Sequence, residues 1–299
     1  MTDSPLPLAF PAERRDLDSP AGRLSLYGAR PEGAGNGLPP LLLVHSINAA
    51  GSAAEVAPLF AHYRQQRAVY ALELPGFGFS DRSDRPYTVR LMTDALHAVL
   101  AAIQNEQGGV AADVLALSLS VEFVARASCE APQRVRRLAM VSPTGFSGKR
   151  RRYGPSGAVV GPPWLLRLLQ WPQWTEGIYK NLTRPAVIRY FLARTWGSAD
   201  IDEALWRYDL LTTRQPGARF APLYFVSAQL FSADINTLFE ALTAPVWVSM
   251  ATRGDFTDYQ GRTTLASRSN WQFHAIDGGA LPYFEDLAGF TRRLDPFWA

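Results

Sequence analysis

One cysteine, Cys129, and four histidines, His45, His62, His97 and His274, are all that the 299 residues hold of these two types. A single cysteine excludes an intramolecular disulfide and any cysteine-based zinc site. The histidines show no metal-ligand spacing such as HExxH. No apolar run reaches the roughly 18 residues that a transmembrane helix needs. The leading stretch "MTDSPLPLAFPAERR" lacks an apolar core behind a basic start, so it does not read as a secretory signal, and a cytoplasmic protein is expected. Lysine is nearly missing too. Only Lys149 and Lys180 are present, and arginine carries most of a net charge of +3. No sustained basic face with interleaved aromatics appears, so nucleic-acid binding is not expected. No dinucleotide fingerprint appears either.

What the chain does hold is apolar. Hydrophobic residues make up 47% and aromatics 12%, enough for a substantial core. A loose, proline-rich leader over 1–12 precedes "RRDLDSPAGRLSLYGAR" (14–30), which reads as two strands about a Ser-Pro-Ala-Gly turn, and a loop follows over 29–40. "LLLVHS" (41–46), "AVYALELPG" (68–76), "DVLALS" (113–118) and "VRRLAMVSPTG" (135–145) contain the short continuous apolar runs of buried parallel strands. Two more strands are expected at 244–255 and 271–276, and helices at 53–66, 88–104, from Val121 onward, and about 285–294. Strands alternating with helices predict an α/β fold with a mostly parallel, helix-covered sheet. The exception is 146–235, rich in tryptophan and proline, with helical patches at about 163–182, 184–195 and 200–213. It reads as a helical cap inserted into a core formed by 1–145 and 236–299.

"LALSLSVEF" (115–123) lies where a buried strand turns straight into a helix. A nucleophile there protrudes from a sharp, strained turn, and the residues two before and two after it must be small. Centred on Ser118 those flanks are Ala116 and Ser120. Centred on Ser120 they would be Ser118 and Glu122, and glutamate is too large. Ser118 is the better candidate. The plainer alternative is a serine that caps the start of a helix.

Four stretches follow in order: "LLLVHSINAAGS" (41–52), "LELPGFGFSD" (72–81), the elbow, and "TRGD" (252–255). Together they resemble the alpha/beta-hydrolase superfamily, in particular its capped branch of esterases and carbon–carbon bond hydrolases. The resemblance covers about 14–145 and 236–299. "LPGFGFSD" is its most specific piece, with Glu73 in place of the usual aspartate. The resemblance implies an eight-stranded sheet, Ser118 as nucleophile and Asp255 as the triad acid. Serine rather than aspartate at 118 argues against dehalogenase or epoxide hydrolase chemistry. His45-Ser46 takes the place of the family's His-Gly. The N–H groups of Ile47 and Leu119 would then form the oxyanion hole, stabilising a tetrahedral intermediate. No cofactor or metal is implied.

"GGALPYFE" (278–285) matches the stretch where this family keeps its catalytic histidine, and Ala280 stands in that position. His274 lies six residues earlier in a strand, roughly 20 Å away at about 3.3 Å per residue. His62 and His97 fall in helix patterns. His45 is the remaining neighbour of Ser118, with a structural part in the family. Without a base, a serine hydroxyl is a poor nucleophile near neutral pH. Three readings stay open: chemistry or binding that needs no Ser–His relay, a knocked-out ordinary hydrolase, or a base supplied by another group, with Asp255 and Tyr283 as local candidates. Tyr283 could equally be a packing residue.

The tryptophan-rich "GPPWLLRLLQWPQW" (161–174) reads as a cap helix with its apolar face buried, as the lining of a site for a hydrophobic ligand, or as a membrane-surface helix. "KRRRYG" (149–154) reads as a solvated loop or as an attractor of anions. The expected partner is a small, hydrophobic, carbonyl-containing ligand.

Overall fold

The computed structural model describes residues 5–31, 37–255 and 257–299, so part of the leader (1–4) and of the 29–40 loop (32–36) lie outside the described residues. The strands are β1 (Glu13–Ser19), β2 (Gly22–Ala29), β3 (Leu41–Val44), β4 (Val69–Glu73), β5 (Ala112–Leu117), β6 (Val135–Val141), β7 (Val246–Ala251) and β8 (Trp271–Ile276). They form one eight-stranded sheet in the order β1-β2-β4-β3-β5-β6-β7-β8. β1 and β2 pair antiparallel, β2 runs antiparallel to β4, and every pairing from β4 to β8 is parallel.

Period-two alternation divides the core between the two faces of the sheet. Leu42, Val44, Val114 and Ala116 face one apolar layer, while Leu41, Leu43, Leu115 and Leu117 face the other. The edge strand β1 is charged instead. Arg14, Asp16 and Arg23 cross it in exposed ion pairs, a pattern that discourages edge-to-edge pairing.

The helices in the core are α1 (Ala57–Tyr63), α2 (Val89–Glu106) and α3 (Ser120–Glu130). Six more, α4 (Pro163–Leu169), α5 (Thr175–Leu182), α6 (Pro185–Trp196), α7 (Glu203–Thr212), α8 (Phe220–Val226) and α9 (Ile235–Ala241), lie between β6 and β7. The short α10 (Thr263–Ala266) and the long α11 (Leu287–Trp298) close the chain. Caps mark several starts: Thr88 accepts from Leu91 N, Asp202 from Leu205 N, and Asp286 from Gly289 N.

Three details depart from the sequence reading. The expected 163–182 helix is two helices, because Pro172 falls between α4 and α5 and cannot donate the backbone bond a continuous helix needs. The leader is tethered: Leu6 is buried, and Tyr208 of α7 donates to Pro7 O at 3.0 Å. The tryptophans of 161–174 do not cover the sheet. Trp164 is 63% exposed, and α4 buries none of its side chains fully.

Candidate active site

The parallel pairing of β3 with β5 sets Val44 beside Ala116, so the chain after Val44 and the turn after Leu117 emerge together at the carboxyl end of the sheet. Open α/β sheets bind their ligands there. Ser118 takes φ +50°, a left-handed conformation that a non-glycine residue adopts at a cost of about 1–2 kcal/mol. Its N–H donates to Val141 O at 2.9 Å, across to β6. Ala116 and Ser120, on either side, are fully buried. Ser120 Oγ donates to His45 O, tying the first turn of α3 to the end of β3. These small residues lie where the end of β5 meets the start of α3. Ser118 itself is half-buried, and its Oγ makes no hydrogen bond among the described residues.

His45 is fully buried and linked to backbone through both ring nitrogens. Nε2 accepts from Leu74 N at 3.0 Å, so Nδ1 carries the proton and donates to Ser46 O at 2.6 Å. Burial lowers its pKa to about 4. A neutral imidazole with both nitrogens occupied is a brace between the ends of β3 and β4.

Ser46 is held by Glu55, which accepts from Ser46 N at 2.7 Å, from Ser46 Oγ at 3.0 Å and from Asn48 Nδ2 at 2.8 Å. This buried carboxylate fixes the 46–48 turn and with it the position of Ile47. The N–H groups of Ile47 and Leu119 make no hydrogen bond among the described residues, so both remain available as donors. Tyr283 is fully buried and donates to Glu55 O at 2.6 Å, and burial holds its phenol well above the usual range. Its hydroxyl supports the Glu55 turn from below.

The carboxyl ends of β7 and β8 carry Asp255 and Ala280, and the end of α6 lies against both. Asp255 N donates to Arg194 O at 3.2 Å, and Ala280 N donates to Thr195 O at 2.9 Å. These are carbonyls of the last helical turn, which need partners outside the helix. Gly279 permits the approach, since a Cβ there would sit 2.5 Å from Trp196 backbone. The Asp255 carboxylate takes both prongs of Arg194, Nε to Oδ2 at 2.6 Å and Nη2 to Oδ1 at 2.8 Å, in a pair that is nearly half exposed. No hydrogen bond connects it to Ser118 among the described residues. Ala280 is buried, and its carbonyl accepts from Ser142 Oγ at 2.9 Å.

The other histidines stay apart. His274 stacks on Trp247 with ring centroids 5.1 Å apart. His97 Nε2 contacts Glu130 at 2.8 Å, and His62 Nε2 contacts Gln66 at 3.0 Å.

Glu55, Ser142 and Arg194 went unnoticed in the sequence. Ser142 had a signal: it follows β6 as Ser118 follows β5, and it too takes a positive φ, +46°. Glu73, the residue that replaces the family aspartate, is fully buried and accepts from Phe79 N at 2.6 Å. A Cβ on Gly78 would lie 1.9 Å from its carboxyl, so the loop closes over the longer acid only because that position is glycine.

A family profile described as the alpha/beta hydrolase fold matches residues 39–205, more than half of the chain. The protein therefore belongs to the alpha/beta-hydrolase family. Among solved structures it is similar to a serine hydrolase involved in carbazole degradation, with TM-score 0.73 and 13% identity over 96% of this chain and 98% of that one. It is also similar to a meta-cleavage product hydrolase from Pseudomonas fluorescens IP01, with TM-score 0.69, 15% identity and 95% and 97% coverage. A third is a carboxylesterase from Bacillus subtilis, with TM-score 0.69, 18% identity and 96% and 92% coverage. At these identities the likeness is one of fold. No curated protein matches the sequence. Among the described residues no helix is long and apolar enough to cross a membrane.

Proposed function

We propose that the protein is a serine-hydrolase-like enzyme for a hydrophobic ester or other carbonyl compound, with Ser118 as its reacting group and no imidazole relay. The observation that carries the reading is Ser118 itself. A serine held at φ +50° with a free Oγ, followed by the unengaged N–H of Leu119 and with the N–H of Ile47, just beyond the neighbouring β3, also unengaged, is an arrangement that a helix cap does not need. In this reading the substrate carbonyl oxygen lies between those two donors while its carbon faces Ser118 Oγ. The 146–235 insert acts as a cap over the substrate, and Ser46, His45, Glu55 and Tyr283 hold the donor loop in place.

The relay is where the reading departs from its family. Asp255 keeps the acid's place in the chain order, Ala280 stands where the histidine would be, and Asp255 is held by Arg194. With one triad member gone, only the oxyanion donors and binding are left to accelerate acyl transfer. The same group of residues would also suit a lyase-like reaction that develops an enolate, or a ligand held without turnover. Ala280 favours this second reading, since neither needs a Ser–His pair.

Hydrolysis of short and medium p-nitrophenyl esters by the parent, Ser118→Ala and Ala280→His separates these cases. Activity that appears or rises strongly in Ala280→His, and that disappears when Ser118→Ala is added, supports the hydrolase reading. Parent activity that Ser118→Ala leaves intact, or inertness of all three proteins, would sink it and turn attention to ligands bound without cleavage.

A further inference from the structure

Arg82 ties the core to the insert. It lies in the loop after β4, and its guanidinium reaches the end of α7: Nη1 donates to Thr212 O and Nη2 to Thr212 Oγ1, both at 2.8 Å. Thr212 closes α7, so its carbonyl needs partners outside the helix, and a cation is favoured there. Gln215 N supplies a second, longer bond of 3.3 Å. Arg82 Nε donates back to Gly78 O at 2.8 Å, which holds the arginine to its own loop. The chain beyond α7 then wraps over it: a Cβ on Gly217, at φ +74°, would sit 2.2 Å from Arg82 O.

Glu73, the last residue of β4, is fully buried at the start of the same loop. Oε2 accepts from Phe79 N, whereas Oε1 has no hydrogen-bond partner among the described residues. The elements packed against the carboxyl bring it little charge. Ser25 and Tyr27 of β2, the backbone of Ala53 and Tyr208 of α7 stand around it, and burial holds both phenols well above their usual range, so they stay neutral. His45, at the end of β3, is neutral as well. The cation in its field is Arg82.

While Glu73 is neutral, Arg82 is left to Thr212. An ionised Glu73 would bury a charged oxygen that lacks a donor, and desolvation makes that the costlier state. Arg82 can relieve it, at the expense of its bonds to α7. We propose that Glu73 and Arg82 form a proton-dependent clamp between core and insert: Arg82 grips the end of α7 while Glu73 is neutral and is drawn off it when Glu73 ionises. Burial raises the Glu73 pKa from 4.5 to about 7, which sets the range. With the folded pKa above the unfolded one, the stability that Glu73 contributes is complete below about pH 4.5 and is lost as pH rises through 7, and the clamp opens in the same direction. It is independent of the chemistry proposed for Ser118.

Magnetic resonance of the full chain, carrying nitrogen-15-labelled arginine, tests this by following the Arg82 Nε–H signal from pH 5 to 9. The signal is assigned by its loss in Arg82→Lys. It should shift with a midpoint near 7 in the parent and stay still in Glu73→Gln. Glu73→Leu is a second neutral variant, should glutamine disturb the loop. Amide hydrogen exchange reads the insert. Comparing the parent with Glu73→Gln at each pH cancels the intrinsic exchange rate and the effect of Asp209, which both proteins keep. Between pH 5.5 and pH 8.5 the last turn of α7 should come to exchange about two- to fivefold faster in the parent than in the variant, the factor that a cation at a helix carboxyl end is worth. The last turn of α6 should show no such change. An Arg82 signal that does not titrate, or that titrates in both neutral variants, overturns the proposal. So does exchange at the end of α7 that stays level with the variant, or that rises equally in α6, since Glu73 would then act on global stability alone.

Discussion

Arg194 holds Asp255 with two hydrogen bonds, 2.6 and 2.8 Å long, and the next residue along α6, Thr195, accepts from Ala280 N. One helix end thus engages both Asp255, the proposed acid, and Ala280, the residue proposed to stand in the place of a histidine. A histidine placed at 280 would have to draw Asp255 away from Arg194 before the two could pair. The ion pair is a weak obstacle, because exposed pairs are worth about 0–1 kcal/mol. Ala280→His combined with Arg194→Ala should therefore exceed Ala280→His alone in Ser118-dependent ester hydrolysis by no more than about tenfold, the factor that about 1 kcal/mol approaches. Steady-state rates on a p-nitrophenyl ester measure it. A gain far above tenfold would show that Arg194 is a stronger obstacle than an exposed pair can be, and a double variant slower than the single one would show that Arg194 does not compete with the histidine for Asp255.

The strain at the elbow has its own consequence. At φ +50° alanine suffers as serine does, whereas glycine does not. The relief of about 1–2 kcal/mol exceeds the extra chain entropy of glycine, about 0.4–1 kcal/mol. Ser118→Gly should be more stable than Ser118→Ala by about 1 kcal/mol, and both should lose any Ser118-dependent turnover. Urea denaturation of the two variants decides it. Alanine equal to or better than glycine would mean that the turn stores no strain.

Much of this architecture was legible. The apolar runs within 41–46, 68–76 and 113–118 read as buried strands, and the small residues at 116 and 120 favoured Ser118 over Ser120. The features that escaped notice depend on partners distant in sequence. Arg194 meets Asp255 from 61 residues away. Glu55 sits in "GSAAEV", where a glutamate reads as a helix surface residue until Ser46, Asn48 and Asp209 close around it. The outward tryptophans of α4 carry the helical period whichever way the helix faces, and only packing decides which stripe turns inward. Helices α8 and α9 have seven residues each, too short for a periodic pattern to stand out.

Glu122, too large to flank a nucleophile at 120, instead fastens the insert. It is fully buried and accepts from Ser232 N at 2.8 Å, from Thr144 Oγ1 and from Arg152, whose Nη1 lies 3.1 Å away. Removing one member of a buried pair strands the other, at a cost of about 3–5 kcal/mol. Glu122→Ala should fall in that range by chemical denaturation. Arg152→Ala added to it should restore part of the loss, since no unpaired guanidinium remains. A double variant as unstable as the sum of the two single ones would show that the pair is not coupled.

Asp209 of α7 is a buried acid of the insert, and it lies within the field of Glu55. One of its oxygens, Oδ1, has no hydrogen-bond partner among the described residues. Burial first, and the Glu55 charge second, raise its pKa well above 3.8, and burial raises that of Glu55 as well. A folded pKa raised above the unfolded one means that the folded state binds more protons between the two values. Stability contributed by these carboxyls is therefore complete below about pH 4 and is lost as pH rises toward the folded pKa. Asp209→Asn removes the charge that must be desolvated. It should melt at or above the parent temperature at pH 8, and the difference should shrink or reverse as the pH falls toward 5. Differential scanning calorimetry of both proteins across that range tests the sign. A parent that gains stability relative to Asp209→Asn as pH rises would mean that Asp209 is ionised and paired in the fold.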